Sequence, residues 1–81
     1  MLFRSHVIIC GFGRNGRKVC QELRARNQAF VVIDQSHDII MNYTGDPIKF
    51  IEGDATDDHI LEEAGIHQAK AIISTDRKSV V

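Results

Sequence analysis

Cysteine is scarce in this sequence. Only Cys10 and Cys20 occur, and both stand inside apolar patterns rather than in a paired framework, which excludes a disulfide-stapled scaffold and makes a reducing compartment the simpler setting. No apolar run approaches the roughly 20 residues of a membrane span, and no signal-peptide pattern opens the chain; a span elsewhere in a longer protein is left open. Net charge is nearly absent too, at -1. That balance argues against a domain whose affinity comes from neutralising a nucleic-acid backbone or an anionic membrane. Metal-ligand spacing is also missing: His6, His37, His59 and His67 are scattered, with no H-x-x-x-H and no C-x-x-C, so no metal site is expected. Internal repeats and low-complexity segments are lacking.

What is there fits one folded unit. Eighty-one residues are enough for a single domain and too few for a second, since a chain of this size buries only about 60% of its unfolded surface. An apolar fraction of 43% and a charged fraction of 26% with both signs mixed are those of a globular core rather than a disordered chain. The charges are unevenly placed: Arg4, Arg14, Arg17, Lys18, Arg24 and Arg26 face the single acid Glu22 in the first third, while the other acids follow later.

The run His6-Val7-Ile8-Ile9-Cys10 is short, β-branched and closed by Gly11, which predicts a strand buried on both faces of a parallel sheet. Gly16, Val19, Cys20 and Leu23 then form one helical stripe, with Arg17, Lys18, Gln21 and Glu22 outward, and predict a helix from about Asn15 to Arg26. Phe30 to Ile33 repeats the buried-strand pattern and ends at Asp34. Ser36 can cap a short helix carrying Ile39, Ile40 and Tyr43, stopped by the turn Thr44-Gly45-Asp46-Pro47. Ile48 to Ile51 reads as a third strand ending at Gly53-Asp54. Thr56 or Asp57 can cap a helix with Ile60, Leu61 and Ala64 on its apolar side and a left-handed end at Gly65-Ile66. Ala71-Ile72-Ile73 is the fourth strand. This alternation predicts a Rossmann-like α/β domain of three layers, with a parallel sheet in the order 3-2-1-4 and a ligand crevice where the order reverses, between strands 1 and 4. Because such domains usually have five or six strands, residues 1–81 read as the N-terminal part of a larger domain, truncated after strand four.

Gly11-Phe12-Gly13-Arg14-Asn15-Gly16 matches G-x-G-x-x-G, a weak signal alone but a strong one between a buried strand and an amphipathic helix. There Gly11 permits the tight turn, Gly13 lets a pyrophosphate approach the backbone, Gly16 lets helix and strand pack closely, and the first helix amides face the anion. Arg14 either adds a charge-assisted contact to a phosphate or is a solvated arginine. Asp34 lies at the position where an acid accepts both ribose hydroxyls of an adenosine. Its carboxylate repels a 2′-phosphate, and Gln35 and Ser36 offer no arginine to offset this, so NAD(H), ATP, ADP or AMP are favoured over NADP(H). Gly53-Asp54-Ala55-Thr56 shares that carboxyl edge; from spacing alone a turn with a helix cap is the plainer reading. Ser74, Thr75 and Asp76, after strand four, either border the nucleotide or form a loop. Cys10 and Cys20 read as small core residues, without the low-pKa exposed thiol of a redox sensor.

Taken together, the run from His6 to Arg17, then Val32-Ile33-Asp34, Gly53-Asp54-Ala55-Thr56 and Ala64-Gly65-Ile66 resemble the RCK domain family, also called KTN or TrkA-N, over nearly the whole stretch from His6 to Ser74. Its members are cytoplasmic domains that regulate potassium channels and transporters. The resemblance implies that Gly11, Gly13, Arg14 and Gly16, with Phe12 and Asn15 between them, serve the phosphates. It places Asp34 at the ribose and Asp54 with Ala55 at the adenine edge; Gln35, Gly53 and Thr75, which stand beside these positions or at the end of strand four, complete the set of candidate cofactor-binding residues. It further implies a non-catalytic module at the inner face of the cell membrane, partnered by a potassium channel or transporter subunit and homo-oligomeric in the full-length protein. The family usually continues after strand four with an acidic loop and further strands, whereas this chain reads Thr75-Asp76-Arg77-Lys78-Ser79-Val80-Val81. The rival reading is the cofactor half of an NAD-dependent oxidoreductase, for which no catalytic acid, base or substrate pocket is recognisable.

Overall fold

Three short runs of β-branched and aromatic residues form the spine of the molecule, because such side chains fill both faces of a pleated sheet. In the computed structural model, which describes residues 5–45 and 48–75, these are β1 (Val7–Cys10), β2 (Phe30–Asp34) and β3 (Phe50–Glu52), joined by β4 (Ala71–Ser74). All pair in parallel, in the order β3-β2-β1-β4, as the alternating pattern requires. Ile8 sits opposite Val31 and Ile72, and Ile33 opposite Ile51.

The helices are α1 (Arg14–Ala25), α2 (His37–Met41) and α3 (Asp58–Glu63). Side chains alternate along each strand, so Val7, Ile9 and Val32 pack with Cys20, Leu23, Ile39 and Tyr43 on one side, while Ile8, Val31, Ile33 and Ile51 meet Ile60, Leu61, Ala64 and Ile66 on the other. The first two crossovers step outward from β1 to β3 and the third returns past β1 to β4; with one crossover hand, that reversal puts α3 on the opposite face from α1 and α2.

The helix ends follow local chemistry. Ser36 Oγ accepts the Ile39 N–H and Asp57 Oδ1 accepts the His59 N–H, so Asp57, not Thr56, caps α3. Both α1 and α3 close with a left-handed residue, Asn27 (φ 56) and Gly65 (φ 77), and paired bonds from Asn27 N to Arg24 O and Gln28 N to Leu23 O, or Gly65 N to Glu62 O and Ile66 N to Leu61 O. These satisfy carbonyls that a helix end leaves open. Tyr43 lies beyond α2, which ends after one and a half turns at Met41. Asp46 and Pro47 of the expected turn, and everything after Thr75, lie outside the described residues.

His6, read from the sequence as the first residue of strand 1, precedes it and is completely buried; its Nε2 donates to the Ala64 carbonyl at 2.7 Å, fastening the start of β1 to the end of α3. The strand four residues differ from the other three: Ala71, Ile72 and Ser74 are exposed, with Ile72 at 47%. Among the described residues β4 is an edge of the sheet, paired to β1 alone.

Candidate functional site

The parallel strands bring their carboxyl ends to one edge, and there the glycine loop, Asp34, the Gly53–Thr56 turn and Thr75 are gathered. Gly11 turns the chain off β1 with φ 103, a conformation in which any Cβ is strained. Its N–H donates to the Ile33 carbonyl at 2.8 Å, and the Phe12 N–H donates to Asp34 Oδ2 at 2.8 Å. The Phe12 ring is 2% exposed and meets Phe50 and Tyr43 edge-on, at centroid distances of 5.0 and 5.4 Å. Arg17 lies over its remaining side, 5.4 Å from the ring centre.

Gly13 is the N-cap of α1, which has no side-chain cap and no acid in its first turn. The leading amides of a helix have no partner within it, and their partial positive charge attracts an anion. Arg14 and Asn15 are exposed at this start. A Cβ built on Gly13 would meet nothing within 4 Å, whereas one on Gly16 would overlap the Gly11 carbonyl oxygen and lie 3.2 Å from Thr75 Oγ1. Gly16 is therefore required by packing of helix on strand. Gly13 is not required by any contact within the domain, and open space at that point is what a phosphate approaching the backbone needs.

Asp34 is held by both oxygens, Oδ2 by Phe12 and Oδ1 by the Ser36 N–H at 2.7 Å. A carboxylate offers about four acceptor positions, so each oxygen retains capacity for a hydroxyl. Gln35 beside it is exposed. Glu52 lies opposite Asp34 on β3 and takes a 2.7 Å bond from His37 Nδ1. That bond and the attached charge raise the His37 pKa above its ordinary value. On the next loop, the Gly53 N–H donates to the Asp34 carbonyl at 3.0 Å. Asp54 Oδ1 accepts both the N–H and the hydroxyl of Thr56 at 2.8 Å, which lowers its pKa. Ala55 is half-buried against the α3 side of the core.

Thr75 closes the site from β4. Its hydroxyl is shared between the carbonyls of Cys10 and Gly11, at 3.1 and 2.9 Å, so it braces the loop from beneath. Sequence reasoning did not foresee this bracing, nor the aromatic box around Phe12; Tyr43, just past α2, and Phe50, on β3, are legible as apolar positions, but their meeting requires the β1-β2-β3 order. Cys20 is buried, its thiol pushed up to about 11 by desolvation, and half-buried Cys10 is raised by the same cause. A raised pKa favours the protonated thiol over the nucleophilic thiolate. Among the described residues no cluster of His, Cys, Asp or Glu has metal-binding geometry. A shallow groove of about 420 Å³ runs along Lys18, Val19, Glu22, Leu23 and Arg26 of α1, away from this edge.

A parallel α/β sheet whose switch point carries a glycine loop at an uncapped helix start, with an acid at the end of the adjacent strand, defines a Rossmann-like nucleotide-binding fold. Within that class the chain belongs to the TrkA-N domain family, whose model matches residues 7–79. It is 42% identical over 72 residues to potassium channel protein 1 of Methanocaldococcus jannaschii; the match covers 86% of this chain and 22% of that protein. Its fold superposes on the TrkA-N domain of the inner membrane protein YbaL from Escherichia coli with a TM-score of 0.81, at 25% identity, over 89% of this chain and 53% of that one. It superposes on GsuK bound to ADP with a TM-score of 0.74, at 28% identity, over 86% and 19%. The chain thus spans about a fifth of the channel protein it matches.

Proposed function

We propose that this chain is the nucleotide-binding, N-terminal part of a larger regulatory domain that controls potassium transport. An adenine nucleotide, NAD(H), ATP, ADP or AMP, sets its phosphates on Gly11 to Gly16 with Arg14 alongside, its ribose on Asp34 beside Gln35, and its adenine against Gly53, Asp54 and Ala55, with Thr75 bracing the loop. The observation that carries this reading is the open loop at Gly13, set at a bare helix start and next to a fixed carboxylate. Ligand binding acts by differential affinity for two arrangements of paired domains in the homo-oligomeric full-length protein, and the shift between them gates a channel or transporter subunit at the inner, cytoplasmic face of the membrane. The domain itself performs no reaction. Similarity to a potassium channel protein, and to a solved structure whose ligand is ADP, favours this over the cofactor half of an oxidoreductase.

Calorimetric titration with ADP tests it. The wild-type domain should bind, and Gly13→Val should abolish binding while remaining folded, because the new side chain enters only open space that the diphosphate must occupy. Equal affinity in a folded Gly13→Val protein removes the phosphates from this loop.

A further inference from the structure

The peptide between Gly11 and Gly13 has glycine on both sides, and glycine gives a chain its widest conformational freedom. Something must hold that peptide if the amides behind it are to keep one direction. On one side the Phe12 ring is boxed by Tyr43 and Phe50; below, Thr75 Oγ1 donates to the Gly11 carbonyl. The N–H itself is taken by the Asp34 carboxylate, and that carboxylate is in turn fixed by Ser36. The first half of the loop is clamped, whereas Gly13, Arg14 and Asn15 are exposed.

We propose that Asp34 is a positioning residue for the phosphate loop, in addition to the ribose-accepting role on whose reading this inference rests. Its carboxylate pins the Phe12 peptide, so that the first amides of α1 keep the orientation that receives a diphosphate. The charge of the residue makes this separable from ribose binding. A carboxylate near a phosphate site repels the ligand, so an Asp34 that only accepts ribose hydroxyls lowers the affinity for a ribose-free anion. A pinning Asp34 raises it, because its loss frees the loop.

The test titrates the wild-type domain, Asp34→Ala and Asp34→Asn with ADP and with inorganic pyrophosphate, and follows hydrogen exchange of the Phe12 amide in the ligand-free proteins. Asp34→Ala should bind pyrophosphate about threefold or more weakly than wild type, the loss of a charge-assisted bond outweighing the repulsion relieved, with Asp34→Asn between them because it retains one acceptor oxygen. The Phe12 amide should be protected in wild type and exchange faster in both variants. Pyrophosphate affinity that is unchanged or raised in Asp34→Ala, beside a fall for ADP, overturns the positioning role and leaves the nucleotide reading standing. Failure of the wild type to bind either ligand overturns both. Where pyrophosphate binds too weakly to titrate, or a variant does not fold, the wild-type exchange rate decides: an unprotected Phe12 amide in the folded domain sinks the proposal.

Discussion

At the scale of single residues, three glycines of one motif perform different work. Gly11 is demanded by its dihedral angle, Gly16 by the carbonyl that a Cβ would strike, and Gly13 by neither. Gly16→Ala should therefore destabilise the domain by about 1–3 kcal/mol, the usual cost of forcing an extra carbon into a packed contact. Gly13→Ala should stay within about 1 kcal/mol of wild type, the residual being the poorer N-cap. Thermal unfolding of the two variants checks the contrast, and equal losses would mean that the loop is packed at both positions. On the proposed ribose placement, Asp34 is expected to decide nucleotide choice at the same scale. A 2′-phosphate brings like charge to its carboxylate, with Glu52 across the strand pair, and removes a hydroxyl donor, each effect being on the order of 1–3 kcal/mol. NADP(H) should bind at least about tenfold more weakly than NAD(H), and Asp34→Ala should narrow that gap; equal wild-type affinities would require the ribose to be moved elsewhere.

At the scale of elements, α1 is both the support of the site and a well-terminated helix. Its end relies on Asn27 at φ 56, a left-handed position that asparagine tolerates and glycine occupies without steric cost. Asn27→Ala is expected to cost about 1 kcal/mol, while Asn27→Gly should be neutral or stabilising; chemical denaturation of the pair measures both, and an unaffected Asn27→Ala would show that this end frays. The beginning of α1 is the opposite case, with no side-chain cap and no acid in its first turn. An arginine stands at that positive end instead of an acid, an arrangement disfavoured until an anion arrives. The short α2 is also tied to its neighbours: Ser36 at its cap is the residue whose amide grips Asp34, and the exposed His37–Glu52 pair links it to β3. Because the His37 pKa is raised by that pair, its contribution is present in full below the ordinary histidine pKa and fades as pH rises through the folded value.

At the scale of the whole molecule, the described residues form two small cores on either side of a four-stranded sheet, and Ile72 on β4 remains 47% exposed. A folded unit of 81 residues has little stability in reserve, so ligand binding should register strongly in its unfolding. ADP at about a hundred times its dissociation constant contributes roughly 2.7 kcal/mol, which for a domain of this length raises the melting temperature by on the order of 10 °C. Differential scanning measures this directly, and a melting temperature indifferent to ADP, ATP and NADH alike counts against the nucleotide site. Among the described residues no helix is long and apolar enough to cross a membrane.

The β-branched runs, the helix caps and the glycine motif are local features. For that reason the sequence alone determined the element order, the 3-2-1-4 sheet, the cap at Ser36, the left-handed end at Gly65 and the carboxyl edge on which Gly11 to Gly16, Asp34 and Asp54 meet. Each depends on spacing within a few residues or on the single hand of parallel crossovers. Only the tertiary structure decided what joins these pieces across the chain. The Phe12 amide on Asp34, its ring between Tyr43 and Phe50, the Thr75 hydroxyl under the loop and His6 on Ala64 all link residues far apart in sequence. Such contacts leave no periodic trace, because a buried side chain selects its partner by the geometry of the neighbouring strand and not by distance along the chain. The two remaining glycines of the motif make the same point: Gly13 and Gly16 are identical letters, and only the packing around them separates a glycine with open space beside it from one that the fold requires.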